Sequence, residues 1–275
     1  MANKDLVALI IHGMGTHDKG YAKDFINGIR KRLDVPERDR IEFASIRYSD
    51  ELAMGQTELW EKTKKHLGRE RTFFKFDPAR EFMLSSFSDA ASYEHRRPGV
   101  TGSPYMDVHQ VVRERIKQAV TDIDGDDGEY RVILLAHSLG MQVMSNYIYD
   151  AQNGKGLWNS GEAPDEHENL SKLSRIVSYG CNIPLFLSAR SEDEIKPITP
   201  PNDRFEWNNY YDRQDVLGWP LQPINGAYDD LVTDFQISVG GSLTGWNPAS
   251  HMEYTGDKGF HDKVASEIRD VLYQA

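Results

Sequence analysis

Ser138 stands in the run Ala136-His137-Ser138-Leu139-Gly140. An apolar stretch, Tyr130-Arg131-Val132-Ile133-Leu134-Leu135, precedes it, and a helical pattern from Met141 to Asp150 follows. A buried strand, one serine in a turn of small residues and then a helix form the layout in which a serine serves as a nucleophile. The turn is sharp enough that bulky side chains two places before or after the serine would collide, and Ala136 and Gly140 are small enough to fit. Such a turn lifts the Ser138 Oγ clear of the sheet. It also sets the Leu139 N–H at the start of a helix, where it can stabilise a negative oxygen.

A second turn reinforces the first. Leu6 to Ile11 is a continuous apolar run that ends in His12-Gly13-Met14-Gly15 and opens onto another helical pattern. In an open parallel sheet both turns lie at the carboxyl ends of strands, where sites gather. Backbone N–H groups of Met14 and Leu139 can then meet over a single oxygen. Two such donors make an oxyanion hole, in which losing one donor costs roughly 100- to 1,000-fold in rate.

With these two turns the chain resembles the α/β-hydrolase superfamily of serine esterases and lipases, from Leu6 to the closing helix. The pentapeptide opens with Ala136 where the usual pattern has glycine, and Ile11-His12-Gly13-Met14-Gly15 is similar to the family's HG oxyanion turn. In that turn the residue after HG, here Met14, donates its amide. The resemblance implies a chain order of nucleophile, acid and base. The acid is expected in Asp212-Arg213-Gln214-Asp215-Val216-Leu217-Gly218, after a strand at 204–211. Asp215, followed by apolar residues, is favoured, and Asp212 is the runner-up. The base is expected on a loop before the last helix. His251, in Trp246-Asn247-Pro248-Ala249-Ser250-His251-Met252, fits, whereas His261 falls inside the helix. His251 would deprotonate Ser138 and later protonate the leaving group, while Asp215 fixes the imidazole tautomer.

The elements that must hold these residues read as an α/β chain. Helical spacing runs over 18–33 and ends at Pro36; 41–48 alternates as a strand, and 51–67 is helical. The pattern breaks down over 68–103, an aromatic-rich segment (Phe73, Phe74, Phe76, Phe82, Phe87) read as a partly helical insertion. It would cap the site, line an acyl pocket or form a satellite core. A helix follows over 104–123, strands over 173–181 and 235–239, a loop over 184–202 and a closing helix over 258–273. Strands alternating with helices imply a mostly parallel sheet covered on both faces. One domain over 1–275, of α/β-hydrolase fold with a cap-like insertion at 68–103, is the expected organisation.

Composition narrows the function. A net charge of -11 argues against sequence-independent nucleic-acid binding and against simple adsorption to anionic lipid. Cys181 is the single cysteine, so no internal disulfide can form, and it reads as a small core residue. The first residues lack a signal-peptide core, and no apolar stretch approaches the ~20 residues of a membrane span. A cytoplasmic enzyme needing no cofactor and no metal, acting on a small-molecule ester or lipid, is expected. Its oligomeric state is not legible.

Other motifs have plainer readings. A serine ahead of a helix can be a simple N-cap, but the HG turn and the ordered acid and base favour the nucleophile. His12 reads as a structural ligand of the loop backbone, and His137 receives no chemistry. The acidic run 122–129 lacks the glycine and glutamate that a calcium loop needs at their positions. Gly13 and Gly15 do not continue into a dinucleotide fingerprint, because Asp18 replaces the third small residue. Trp219-Pro220-Leu221 is a candidate pocket wall. Within the resemblance, peptidase, thioesterase and phospholipase variants stay open. So does a protein of this fold that binds a partner without catalysis.

Overall fold

The computed structural model describes residues 4–15, 17–52, 56–67, 77–94, 102–121, 123, 130–240 and 250–274. Six strands form one sheet: β1 (Leu6–Ile11), β2 (Ile41–Ile46), β3 (Arg131–His137), β4 (Leu173–Tyr179), β5 (Glu206–Asp212) and β6 (Val232–Ile237). Their order is β2-β1-β3-β4-β5-β6, and every neighbouring pair is parallel. The helices are α1 (Lys23–Arg30), α2 (Val35–Asp39), α3 (Ser49–Leu52), α4 (Gln56–Leu67), α5 (Asp77–Glu94), α6 (Pro104–Thr121), α7 (Leu139–Asn153), α8 (Ile183–Leu187), α9 (Gly226–Leu231) and α10 (Lys258–Tyr273).

Helices cover both faces of this α/β sheet, which is why β1 and β3 are apolar at almost every position. Alternate side chains of one strand feed two separate cores. Leu6, Ala8 and Ile10 pack with Phe25 and Ile29 of α1 and with Val264 and Ile268 of α10. Val7, Leu9 and Ile11 pack with Val108 and Val112 of α6 and with Val143 and Tyr147 of α7. From β1 the chain runs outward to β2, and from β3 outward the other way to β4, β5 and β6. The switch point therefore lies between β1 and β3, and the crevice outside their carboxyl ends is where such sheets bind ligands.

Several boundaries differ from the sequence reading. Pro36 does not end a helix; it sits in the first turn of α2, where a missing N–H costs nothing. Pro184 likewise occupies the first turn of α8, within the stretch read as loop. The helix read over 51–67 begins earlier, as α3, with α4 following after residues 53–55. The segment 68–103 contains the 18-residue helix α5. Phe73, Phe74 and Phe76, the Phe82 side chain, residues 124–129 of the acidic run and 246–249 of the base loop lie outside the described residues.

Candidate active site

The turn between β3 and α7 consists of one residue. Ser138 has φ 50° and ψ -125°, a left-handed conformation that a side chain other than hydrogen adopts only under strain. Its N–H donates to the Tyr179 carbonyl at the end of β4 (3.1 Å), and its own carbonyl accepts from Met141 N–H (3.0 Å). These bonds on both sides hold the serine in place. The β1 turn presses directly against it. A Cβ on Gly13 would lie 2.7 Å from Ser138 Cβ, and one on Gly140 would lie 2.3 Å from the His12 carbonyl oxygen. Any larger residue at either glycine would push the two turns apart.

His251 lies on a short 3₁₀ turn, Ser250–Met252, beyond β6. Its Nε2 is 2.7 Å from Ser138 Oγ, and its Nδ1 is 2.8 Å from Asp215 Oδ2. The carboxylate fixes the tautomer: Nδ1–H donates to Asp215, leaving Nε2 to accept the serine hydroxyl proton. Asp215 sits in the tight turn after β5, where its Oδ1 accepts from Leu217 N–H (3.0 Å). Its Oδ2 also accepts from the Tyr254 hydroxyl (3.1 Å). Burial alone would raise the Asp215 pKa. The His251 hydrogen bond and charge, with the Leu217 N–H, outweigh it and hold the carboxyl below its ordinary value. All three side chains are buried, so their mutual electrostatics are little screened.

The runner-up acid has a different task. Asp212 Oδ1 accepts from Gln214 N–H (2.8 Å) and Oδ2 from Val239 N–H (2.8 Å). It fastens the acid loop to the segment after β6.

Three further histidines differ in role. His137 Nε2–H donates to the His251 carbonyl (2.9 Å), and its ring stacks on Tyr179. Burial first, then His251, lowers its pKa to about 3, so it stays neutral beside His251. His12 Nδ1–H donates to the Gly13 carbonyl (2.7 Å), and its Nε2 accepts from Tyr48 N–H (3.2 Å). Burial holds it well below the ordinary histidine value. His261 packs on Gly28 and donates to the Thr255 carbonyl (2.7 Å), away from the serine.

The donors read as an oxyanion pair, Met14 and Leu139, follow β1 and open α7 respectively. The Met14 loop is fastened from several sides. Tyr48 hydroxyl lies 3.1 Å from the His12 carbonyl oxygen and 3.0 Å from that of Gly13. His17 Nε2 lies 3.2 Å from the Met14 carbonyl oxygen, and Gly15 N–H donates to Asp89 of α5 (2.7 Å). The segment 68–103 thus reaches the Met14 loop through Asp89 of α5. Tyr48, Asp89, Tyr254 and Asn182 had no signal in the sequence, since each acts across a long chain separation. A cavity of about 390 Å³ runs along α7, lined by Gln142, Ser145, Tyr149 and Leu187, and touches none of Ser138, Asp215 and His251. Among the described residues, no group of three or more His, Cys, Asp or Glu could hold a metal ion. None of the described helices is long and apolar enough to cross a membrane.

No protein-family model matches the sequence, and neither does any curated protein. Among solved structures, the chain is similar to an iodinated complex of acetyl xylan esterase. The likeness covers 97% of this chain and 98% of that one, at 11% identity and a TM-score of 0.44. A likeness that distant carries no chemistry across, and the function of this chain rests on its own geometry.

Proposed function

We propose that this chain is a serine hydrolase of the α/β-hydrolase type that cleaves carboxylic esters through an acyl-enzyme. One observation carries the reading: a single imidazole lies 2.7 Å from the hydroxyl of a strained serine and 2.8 Å from a buried carboxylate. Ser138 Oγ attacks the ester carbonyl as its proton passes to His251 Nε2. The carbonyl electron pair moves onto oxygen, facing the N–H groups of Met14 and Leu139. Collapse expels the alcohol, which takes the proton from His251, and leaves Ser138 acylated. Water then repeats the sequence, releasing the acid and restoring the hydroxyl. Asp215 stabilises the imidazolium in each half. No step requires a metal or an organic cofactor.

Within this class, exposed apolar side chains favour an ester with a lipid-like acyl or alkyl chain. Leu185, Val216, Trp219 and Met252 are all solvent-exposed and lie in the segments that follow β4, β5 and β6. Val216 adjoins Asp215, Met252 adjoins His251, and Trp219 N–H donates to the Cys181 carbonyl (2.9 Å). The test is fluorophosphonate labelling followed by a panel of activated esters of graded acyl length. The expected result is a single adduct on Ser138 and turnover that rises with chain length. Absence of labelling on the native protein would sink the hydrolase and favour a partner-binding protein of the same fold. A rate that falls with chain length would remove the lipid preference alone.

A further inference from the structure

Asn182 opens α8, immediately before Ile183-Pro184. Asparagine there ordinarily caps the helix, its side chain accepting an N–H from the first turn. Asn182 makes no such cap. Its side chain is buried, 1% exposed, and turns instead toward the nucleophile. Its Nδ2 lies 3.5 Å from Ser138 Oγ and 3.9 Å from Met14 Sδ. Its Oδ1 is buried and makes no hydrogen bond among the described residues. A buried amide that gives up its local cap, leaves one atom unsatisfied and aims the other at a reacting oxygen breaks the usual accounting of polar groups, and such breaks gather at functional sites.

The amide orientation follows from its partner. The Ser138 hydroxyl spends its proton on His251, so Oγ faces Asn182 as an acceptor, and an N–H must point at it. The amide approaches from the side of Met14, whose backbone N–H is one of the two donors assigned to the oxyanion. Resting donor distances at such sites are long and tighten when charge develops.

Resting on the proposed hydrolase reading, we infer that Asn182 is a further catalytic residue, a side-chain amide that donates from Nδ2 to the reacting oxygens of Ser138 and the ester. As Oγ bonds to the carbonyl carbon, its proton goes to His251 Nε2 and the carbonyl pair moves onto oxygen. Nδ2–H then bonds the oxyanion beside Oγ, adding a third donor to those of Met14 and Leu139. When the alcohol leaves with the His251 proton, the carbonyl re-forms and the bond weakens. The amide is neutral throughout and exchanges no proton.

The experiment uses the full chain and an activated ester. Fluorophosphonate labelling of the native protein at Ser138 comes first, and if it fails, the hydrolase reading falls and this inference with it. With labelling established, Asn182→Ala is expected to lower kcat about 100-fold, the loss of one oxyanion donor, with KM within threefold. Asn182→Leu, close in volume, removes the orphaned oxygen and is expected to lose the same rate with no loss of Tm. Asn182→Asp keeps the shape and sets a carboxylate beside Ser138, whose partner His251 is faced by Asp215 and the His137 ring, with the Tyr254 hydroxyl on Asp215. It is expected to move the acid limb of the kcat/KM profile to higher pH, since a negative charge there favours the protonated, inactive base. Asn182→Ala with kcat within threefold of the native value overturns the proposal. So do variants in which kcat and Tm fall together while the acid limb stays in place, the pattern of a structural residue.

Discussion

Asp215, just past the carboxyl end of β5, and Glu267, on α10 beside the early residues of β4 and β5, are both buried carboxylates. Their partners differ in kind. Glu267 binds the Arg175 guanidinium, the Asn208 amide (2.8 and 3.0 Å) and the Tyr210 hydroxyl. All of these stand on strands, and the arginine keeps its charge at any ordinary pH. No imidazole stands among these partners. Asp215 binds a histidine, a tyrosine and one backbone N–H, and each belongs to a segment beyond a strand end. The imidazole can take a proton and return it. Each cluster leaves one buried polar atom without a hydrogen bond among the described residues, Arg175 Nε in one and Asn182 Oδ1 in the other, and the site also holds a left-handed serine. Two similarly buried carboxylates therefore serve different ends, one fastening α10 to the sheet and the other placed to bias the proton transfer proposed for His251.

The contrast is sharpest in the rates. Ser138→Ala is expected to cut turnover of an activated ester by about a millionfold, and the double variant with His251→Ala to be little worse than either alone. Asp215→Asn should cost about 10,000-fold, because the tautomer of His251 is no longer imposed. Glu267→Gln should leave kcat within a few-fold, assayed well below its melting temperature, but should lose about 2 kcal/mol of stability, because Arg175 then keeps only the half-exposed Glu206 carboxylate (2.8 Å) as a counter-charge. Urea titration alongside initial rates reads both quantities. A Glu267→Gln protein that remained folded yet inactive would erase the division between the two clusters.

Legibility followed the range of the interactions. β1 and β3 were plain because burial on both faces demands unbroken apolar runs. The serine turn was plain because its neighbours must be small, and Gly140 against the His12 carbonyl shows the constraint acting in space. Prolines are ambiguous in sequence: Pro36 reads as a helix end and Pro184 as loop, yet each sits in a first helical turn where no N–H is needed. Asp212 and Asp215 could be ranked but not separated. What distinguishes them is that β5 continues through Asp212, whose oxygens are then taken up by Gln214 and Val239. Asn182 stands just ahead of a stretch that reads as loop and carries no local signal, and only the approach of Ser138, 44 residues earlier in the chain, marks it. Tyr254 and Tyr48 are likewise side chains whose partners the sequence does not announce.

Acid should unfasten the site end first. His137 has its pKa lowered to about 3 by burial and by His251, against 6.5 for an ordinary histidine. Between those values the unfolded chain binds the proton that the folded chain refuses. Stability is therefore full above about pH 6.5 and falls as the pH drops toward 3, by up to about 1.4 kcal/mol per pH unit for this one group. Asp215 acts in the same direction at lower pH, since its depressed pKa contributes stability that is lost as the carboxylate is protonated. His137→Gln should flatten the slope of unfolding free energy between pH 6.5 and 4, compared with the native protein by urea titration. An unchanged slope would locate the acid sensitivity elsewhere, His12 being the next buried histidine to test.

The smallest expected effect isolates the strain at the nucleophile. At φ 50° and ψ -125° a serine Cβ is crowded by its own backbone, whereas glycine adopts that region freely. Ser138→Ala and Ser138→Gly both delete the hydroxyl and its bond to His251, so their difference reports the backbone alone. Glycine also gives the unfolded chain more freedom, which opposes the relief by roughly 0.4 to 1 kcal/mol. Strain of this type is on the order of 1–3 kcal/mol, so Ser138→Gly should remain more stable than Ser138→Ala by about 1 kcal/mol. Equal urea midpoints, or a more stable alanine variant, would mean that the turn is held without strain. The contrast between the structural cluster and the site would then rest on the proposed proton-transfer line and Asn182 alone.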